Sequence, residues 1–216
     1  LPEAIRAGAL IPVLLCNPES GMGGKRLLDF LSKYSPAPAT VQDAEGADVV
    51  PDADGPVVAT VFNIKADPHV GKVCMARIWS GSIGQSDALK GQSDKKPEKM
   101  GGLFHLVGKR RDAIESARAG EIVAFSKVEN LSYGEGFSSS EPGAVVEAPN
   151  AGVPMVSLAV TPKSRADEQK IGEALHKLVD EDPTLQLVND SVTHELVIHG
   201  MSDMHLLVME ERLKIG

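Results

Sequence analysis

The chain is 216 residues long, with 42% hydrophobic, 24% charged and only 4% aromatic residues. This composition is typical of soluble globular proteins and argues against a fibrous, disordered or membrane-spanning chain. The formal net charge of -8 argues against nucleic-acid binding, although the segment 55–150 holds most of the lysines and arginines. The length favours more than one domain.

The chain starts at Leu1 without an initiator methionine, a basic leader or a cleavage site. We therefore expect a piece of a longer, cytoplasmic protein. The two cysteines, Cys16 and Cys74, are far apart in sequence, and we expect two reduced, buried thiols rather than a disulfide.

The first predicted element is a strand, because Ile11–Cys16 is a continuous apolar run of the kind found in strands buried on both faces. A helix is predicted over Lys25–Tyr34, where leucines recur on one face and Ser35-Pro36 ends the pattern. Together they form half of a βα unit, and this region offers no other strand for the first one to join.

The glycine-rich segment between these elements, Gly21–Arg26, departs from a phosphate-binding loop in its spacing. The first glycine of that motif would fall at Glu19, and Arg26 replaces the serine or threonine that holds Mg²⁺. We therefore interpret the segment as a strand-to-helix connection.

Residues 36–56 are rich in Pro, Ala and Asp and are predicted to be a linker. Short β-rich runs separated by glycine-containing turns follow, and they predict a small antiparallel barrel. The predicted strands are Val57–Ile64, Gly71–Trp79, Met100–Val107 and Glu121–Val128. A second segment rich in Gly, Ser and Pro, 134–150, separates the barrel from the rest of the chain.

The last part of the chain has the predicted order β-α-β-β-α, which is the split βαβ plan without its final strand. A strand over Pro154–Thr161 precedes a helix that begins near Ser164 and ends at Asp182-Pro183. A pair of hairpin strands and a second helix are predicted at Leu185–Asn189, His194–His199 and Met201–Leu213.

The sequence predicts neither a metal site nor a set of catalytic residues. His194 and His199 are one residue too far apart for a zinc-protease helix, and on a strand they point to opposite faces. The other histidines have no companions at ligand spacing. The residues by themselves therefore indicate a fold but no function.

Two stretches of the sequence resemble a known family. The first, Asp67–Ile83, reads DPHVGKVCMARIWSGSI; the second consists of Pro162–Asp167, Glu181–Pro183 and Gly200–Leu206, the last of which reads GMSDMHL. They resemble domains II and III of elongation factor G, a translational GTPase, whose patterns read DPxxGK, RxYSG and GMGELHL. Trp79 replaces the usual tyrosine, and the departures in the last motif suggest a divergent paralogue.

The resemblance spans essentially the whole chain in the family's domain order. It implies the C-terminal remnant of a G domain with a linker over 1–50, a β-barrel domain II over 55–140, and a truncated ferredoxin-like domain III over 150–216. The fold class that we expect is a multi-domain fragment in which an all-β translation-factor barrel is followed by an α+β split βαβ domain. The terminal strand and helix of an α/β P-loop GTPase domain precede them.

The family uses GTP to move tRNA and mRNA through the ribosome. The resemblance implies that GTP, GDP and Mg²⁺ are cofactors of the full-length protein, and that this fragment, without the P-loop, binds none of them and is inactive. The family's guanine-reading Ser-Ala pair aligns with Asn17-Pro18, and proline has no N–H to donate to guanine. If the register shifts by one, Asn17 takes the place of the donor.

The partners that the resemblance implies are the small-subunit ribosomal RNA and a small-subunit protein, bound by a monomer and without a membrane. Arg77, Ser80 and Gly81 fit a turn that contacts the RNA backbone, because arginine forks onto phosphate and glycine permits close approach. Lys72 adds a point charge. In domain III, the resemblance implies contacts with other domains or with a ribosomal protein at Lys163, Arg165, Asp203 and His205.

Other interpretations stay open. Arg77 and Gly81 are also explained by an arginine packed across the barrel's own strands and a glycine that a hairpin requires. The parent is a translocation GTPase or its paralogue in the first interpretation, but a tetracycline-resistance-type ribosomal protection protein shares the domain order. A non-enzymatic RNA- or ribosome-binding module is the third possibility.

Overall fold

The computed structural model describes residues 1–35, 38–67, 69–91, 97–108, 110–138, 144–162, 165–193 and 195–215, the side chains of 165–169 and 215 excepted. These residues form two compact units, 1–40 and 41–216. The second unit contains a β-barrel and then a small α/β domain, which is the order that the sequence predicts.

In the first unit, the predicted helix is confirmed and the predicted strand is wrong. The helices are α1 (Pro2–Arg6) and α2 (Gly24–Tyr34). The apolar run before α2 forms no strand, and its side chains Ile11, Val13 and Leu15 are 82%, 84% and 90% exposed. A strand needs neighbouring strands for its backbone hydrogen bonds and its apolar side chains, and the described residues of this unit supply none.

The segment predicted to be a linker contains a short hairpin. Strands β1 (Val41–Gln42) and β2 (Asp48–Val49) pair antiparallel, and the carboxylate of Asp43 accepts hydrogen bonds from two backbone N–H groups of the turn between them. Val49 is buried beside Val58 of the barrel. The sequence hides this hairpin because each strand carries little apolar surface of its own and is covered from far along the chain.

The barrel strands are β3 (Val58–Asp67), β4 (Gly71–Ser80), β5 (Ser82–Gly84), β6 (Ala88–Leu89), β7 (Glu98–Lys99), β8 (Gly102–Val107), β9 (Arg110–Ala113), β10 (Ser116–Arg118), β11 (Ile122–Ser126) and β12 (Gly136–Ser138). One antiparallel sheet has the order β12-β3-β4-β11-β8-β9, and two shorter ladders join β5 to β10 and β6 to β7. All the strands predicted here are confirmed, with small shifts at their ends.

Alternation along β4 decides which of its side chains are available for contact. Cys74, Ala76 and Ile78 lie in the main core and are fully buried. Arg77 and Trp79, which alternate with them, belong to the outer face of the barrel.

Both cysteines are free. Burial raises the pKa of the Cys74 thiol to about 11, so this thiol stays protonated at neutral pH. The expectation that both are buried is wrong for Cys16, which is exposed. Cys16 ends the apolar run that finds no strand partners.

The α/β domain has the predicted order of elements, which are β13 (Val156–Val160), α3 (Arg165–Glu181), β14 (Gln186–Asn189), β15 (Leu196–Gly200) and α4 (Asp203–Ile215). The strands pair antiparallel in the order β13-β15-β14, as the split βαβ plan requires. Leu175 of α3 and Leu206 of α4 pack with Ile198 in one core. Ser164 and His194, at the predicted starts of α3 and β15, lie outside the described residues.

Candidate functional site

The turn between β4 and β5 is fixed by its own backbone. The N–H of Gly81 donates a hydrogen bond of 2.6 Å to the carbonyl of Asp52, and Ser80 is buried with its hydroxyl 3.4 Å from the same oxygen. Gly81 has a φ of +77°, and a Cβ there would lie 2.6 Å from the Cα of Val57. The glycine is therefore required by the close approach of the chain at Val57, although the turn is not a hairpin, because β4 and β5 pair with other strands.

Arg77 lies across the outer face of the barrel. Its guanidinium carbon is 5.4 Å from the centre of the Trp79 ring, within the range of a cation–π contact. Its Nε is buried, and no described residue accepts a hydrogen bond from it. The arginine is thus held in place by stacking rather than by an ion pair, which is a good arrangement for presenting a fixed cation.

A chain of hydrogen bonds holds Trp79 under this arginine. The indole Nε1–H donates to the hydroxyl of Thr60 at 3.0 Å, and this hydroxyl donates to the carbonyl of Val146 at 2.5 Å. Trp79 is also packed against the buried side chains of Val49 and Val58. Sequence reasoning missed this support, and only the spacing of Arg77 and Trp79 on one face of a strand pointed to it.

Lys72 has partners inside the chain. Its ammonium donates to the carbonyl of Glu129 at 3.0 Å and lies 3.5 Å from the carboxylate of Asp180 in α3. Only 11% of the Lys72 side chain is exposed. The structure therefore gives this lysine an internal role, and its predicted contact with RNA stays a prediction.

Other cations of the barrel are also paired. Arg111 forms an ion pair with Asp67 while its guanidinium lies over the ring of Phe104, and Arg110 lies 2.9 Å from the carboxylate of Asp112. Three further lysines of the segment 55–150, Lys95, Lys96 and Lys109, lie outside the described residues. Arg118, which borders Ser82 in the β5–β10 ladder, is exposed and forms no ion pair with a described carboxylate.

Asp67, the first residue of the DPxxGK motif, closes the turn between β3 and β4. Its carboxylate accepts hydrogen bonds from the backbone N–H groups of His69 and Val70. The His69 N–H is the largest cause of the lowered pKa of Asp67, with further contributions from Val70 and Arg111 that outweigh desolvation. This motif therefore shapes a hairpin end.

His205 is bound within the α/β domain. Its Nε2 is 3.1 Å from the carboxylate of Asp182, and its Nδ1 accepts a hydrogen bond of 3.2 Å from the N–H of Met201. The histidine thus ties the turn before α4 to the end of α3. Its predicted contact with a partner would have to use the part of the ring edge that these bonds leave free.

The other predicted residues of this domain lie near helix starts. Asp203 is the exposed first residue of α4, where a carboxylate is favoured by the helix dipole. Arg165 begins α3, but its side chain is outside the described part of the chain, and so is the whole of Lys163. The described hydrogen bonds of His205 go to Met201, Ser202 and Asp182, and Asp203 is not among its partners.

The Asn17-Pro18 loop offers no backbone donor of the kind that reads guanine. The N–H of Asn17 donates to the carbonyl of Met22 at 2.8 Å, and Pro18 has none. The side-chain oxygen of Asn17 accepts hydrogen bonds from the N–H groups of Glu19 and Ser20. The predicted guanine contact at these two residues stays a prediction.

Among the described residues, no three His, Cys, Asp or Glu side chains are grouped so as to hold a metal ion. His199 of the motif that resembles a zinc site is hydrogen-bonded to the hydroxyl of Ser157 at 2.7 Å. None of the described helices has the length and apolar character needed to cross a bilayer.

Two family models match the two domains of the second unit. Residues 56–140 match the model of elongation factor G domain 2, and residues 152–215 match that of elongation factor G, domain III. The chain belongs to the elongation factor G family. The barrel is therefore its domain 2, and the split βαβ domain is its domain III.

Individual relatives agree with this assignment. The chain is 31% identical to an elongation factor G of Petrotoga mobilis, over 99% of this chain and 33% of the relative. It is 34% identical to an elongation factor G-like protein of Synechocystis, over 98% of this chain and 30% of the relative. A solved structure from Thermus thermophilus matches 98% of this chain and 31% of its own, with 32% identity and a TM-score of 0.76. The chain thus spans about a third of the length of these relatives.

Proposed function

We propose that this chain is the ribosome-docking middle segment of an elongation factor G-like GTPase that promotes GTP-dependent translocation in protein synthesis. Residues 1–50 are the end of its G domain with a linker, 55–140 its domain II, and 150–216 its domain III. The full-length protein is a cytoplasmic monomer that binds GTP or GDP with Mg²⁺. The family membership of domains 2 and III supports this proposal.

The single observation that carries the docking role is the state of Arg77. This guanidinium is stacked on Trp79, and no carboxylate of the described residues neutralises its charge. A planar guanidinium with free donors is suited to a phosphate of the RNA backbone. The Ser80–Gly81 turn at the end of the same strand is held by a backbone hydrogen bond, which lowers the entropic cost of docking.

Because the net charge of the chain is -8, a surface that binds RNA must be a local group of positively charged side chains. Lys72, Arg110 and Arg111 are paired with carboxylates of the chain, whereas Arg77 in β4 and Arg118, which borders Ser82, have no such partner among the described residues. A contact through one or two arginines predicts a shallow dependence of binding on salt. The small-subunit ribosomal RNA is the partner that this chemistry fits.

The test is co-sedimentation of the chain with small ribosomal subunits over a series of salt concentrations. We expect Arg77→Ala to weaken binding and to reduce the slope of log affinity against log salt by about one, because one phosphate contact is lost. Arg77→Lys keeps the positive charge but loses the two-pronged hydrogen bonding and the stacking on Trp79. We therefore expect its affinity for the subunits to lie between those of the parent and of Arg77→Ala.

Lys25→Ala is the matched control, since it removes one cation from the exposed α2 and leaves the barrel unchanged. If Arg77→Ala and Lys25→Ala weaken binding equally, the effect is one of net charge and the docking site is elsewhere. If the chain ignores ribosomal subunits at every salt concentration, the proposal fails for these domains. In the full-length protein, binding that is the same with GDP and with a GTP analogue favours the alternative, a non-enzymatic ribosome-binding module.

A further inference from the structure

The barrel and domain III meet at the end of the β3–β4 hairpin. Lys72 at the start of β4 lies 3.5 Å from the carboxylate of Asp180, and the N–H of Ala66 near the end of β3 donates a hydrogen bond of 2.7 Å to Glu181. Both acids belong to the last turn of α3. Adjacent residues of one helix thus hold the two strands of one hairpin.

Glu181 joins three elements through one carboxylate. Its Oε1 accepts the hydrogen bond from Ala66 of the barrel, and its Oε2 lies 2.5 Å from the guanidinium of Arg212 in α4. The Glu181 side chain is only 16% exposed. A charged acceptor with both oxygens used in this way holds its partners more tightly than a solvated surface pair does.

Among the described residues, no apolar core continues across this contact. Each hydrophobic cluster formed by described residues contains side chains of the barrel or of domain III, but never of both. An open groove of about 370 Å³ lies beside the contact, between Ala66 and the residues Lys177 and Arg212 of the two helices. The polar contacts therefore carry the connection, because the packing around them is incomplete.

The hairpin end that makes these contacts is built by the DPxxGK motif. Asp67 caps the turn and Lys72 supplies the cation, so the motif residues shape a docking element for α3. Lys72 also donates to the carbonyl of Glu129, which fixes the position of its ammonium. With only 11% of its side chain exposed, Lys72 has little surface left for an outside partner.

We propose that Lys72 and Glu181 are positioning residues of an ionic joint that holds domain III at one angle to the barrel. Lys72 restrains α3 through Asp180, and Glu181 restrains both helices against β3. Loss of the joint frees domain III to rotate about residues 150–154, between the hydrogen bonds of Pro149 to the barrel and of Met155 to domain III, while each domain stays folded on its own core. This proposal does not depend on ribosome binding.

The test measures the distance between the two domains in the 216-residue chain. Spin labels are attached through Ser116→Cys in the barrel and Met204→Cys in α4, both exposed positions, after Cys16→Ser removes the exposed native thiol. Double electron–electron resonance then gives the distribution of the distance between the labels. We expect one narrow distance in the parent and a broad distribution in the double variant Lys72→Met, Glu181→Ala. The ratio of docked to undocked molecules falls by roughly 5- to 30-fold when charged hydrogen bonds of this kind are lost.

The control is the double variant Lys214→Met, Glu211→Ala, which removes the same residue types from a pair 2.7 Å apart within α4. We expect it to keep the narrow distance. The proposal is overturned if the double variant of Lys72 and Glu181 keeps the distance distribution of the parent. It is also overturned if the distribution of the parent is already broad at low salt.

If that double variant does not fold, the variant Glu181→Gln supplies the test. Its amide oxygen still accepts from Ala66 but its charge is lost, so we expect salt to broaden the parent distribution and to change that of Glu181→Gln less. Equal responses to salt overturn the proposal as well.

Discussion

Two apolar runs that predict strands equally well have opposite outcomes in this molecule. Residues 11–16 in the first unit remain without strand partners, and Leu15 is 90% exposed. The run that becomes β8 (Gly102–Val107) pairs with β11 on one side and β9 on the other, and its Leu103 is 1% exposed. The two leucines are chemically identical and both lie in apolar runs.

The difference shows that a strand is a property of the sheet that receives it. β8 has backbone partners on both sides and a core beneath it, so its apolar side chains leave water and its N–H groups find carbonyls. The first run has neither in the described residues of its unit. An exposed apolar run of this kind is typical of a segment that is buried in a larger assembly.

The largest effect that tests this comparison comes from one substitution made at both leucines. We expect Leu103→Ala to lower the free energy of unfolding by about 2–5 kcal/mol, because it leaves a cavity in the barrel core. We expect Leu15→Ala to change it by less than about 0.5 kcal/mol, since an exposed side chain loses no burial. Unfolding in urea is followed with two probes. The fluorescence of Trp79, the only tryptophan of the sequence, reports on the barrel, and circular dichroism reports on the secondary structure of the whole chain.

Hydrogen exchange checks the same comparison without a mutation. The amides of residues 13–16 should exchange rapidly, and those of β8 should be protected by their ladder. Strong protection of residues 13–16, together with a large effect of Leu15→Ala, would mean that this run finds a partner in solution, such as a second copy of the chain. The contrast between the two regions would then disappear.

The comparison extends from strands to turns, with a smaller expected effect. Gly81 and Gly46 both have positive φ, at +77° and +84°, but a Cβ at Gly81 would lie 2.6 Å from the Cα of Val57, whereas a Cβ at Gly46 meets nothing within 4 Å. We expect Gly46→Ala to lower the unfolding free energy by about 1 kcal/mol from backbone strain alone. We expect Gly81→Ala to lower it by about 1–3 kcal/mol more, because Val57 has to move.

Thermal unfolding of the two alanine variants beside the parent measures this difference. Equal shifts in Tm for the two would show that the β4–β5 turn yields easily. The rigidity of this turn would then no longer support a low entropic cost of docking.

The sequence predicts the fold of this chain well wherever the pattern is local. Helix α3 follows from apolar residues that recur at helical spacing, and β14 and β15 follow from two short β-rich runs, because both patterns are satisfied by neighbours close in the chain. The barrel strands follow from alternation and turns. The same kind of pattern predicts a strand wrongly at residues 11–16, because the described residues of that unit include no neighbouring strand for it to pair with.

The candidate site is less predictable for the same reason. That Arg77 lies on an outer face follows from alternation, but its stacking on Trp79 and the bond from Trp79 to Thr60 require the fold. Lys72 is a plausible surface cation in sequence, yet its partner Asp180 belongs to another domain. Pairings between residues far apart in the chain depend on how domains meet, which no local pattern records.

The smallest expected effect concerns two turns that are capped in the same way but surrounded differently. The side-chain oxygen of Asn17 caps an exposed turn in the first unit. Asp182 caps the turn after α3 through Thr184 and adds a contact with His205. Burial alone would raise the pKa of Asp182, but hydrogen bonds from Thr184 and His205 outweigh it, so the pKa is lowered from its ordinary value of 3.8.

Because the pKa of Asp182 is lower in the folded chain, the unfolded chain binds more protons in acid, and this carboxylate adds stability above its unfolded pKa. That contribution is lost as the pH falls from 3.8 through the folded pKa. We therefore expect Asp182→Asn to destabilise the chain at neutral pH and the difference from the parent to shrink below pH 3.8 in urea unfolding. Asp203→Asn, which removes one carboxylate from the exposed start of α4, is the control for the change in net charge. If the difference in unfolding free energy between Asp182→Asn and the parent stays constant with pH, the substitution acts through the geometry of the amide and not through the loss of charge. The turn after α3 would then be stabilised as the exposed turn at Asn17 is, by hydrogen bonds to the capping side chain without a contribution from its charge.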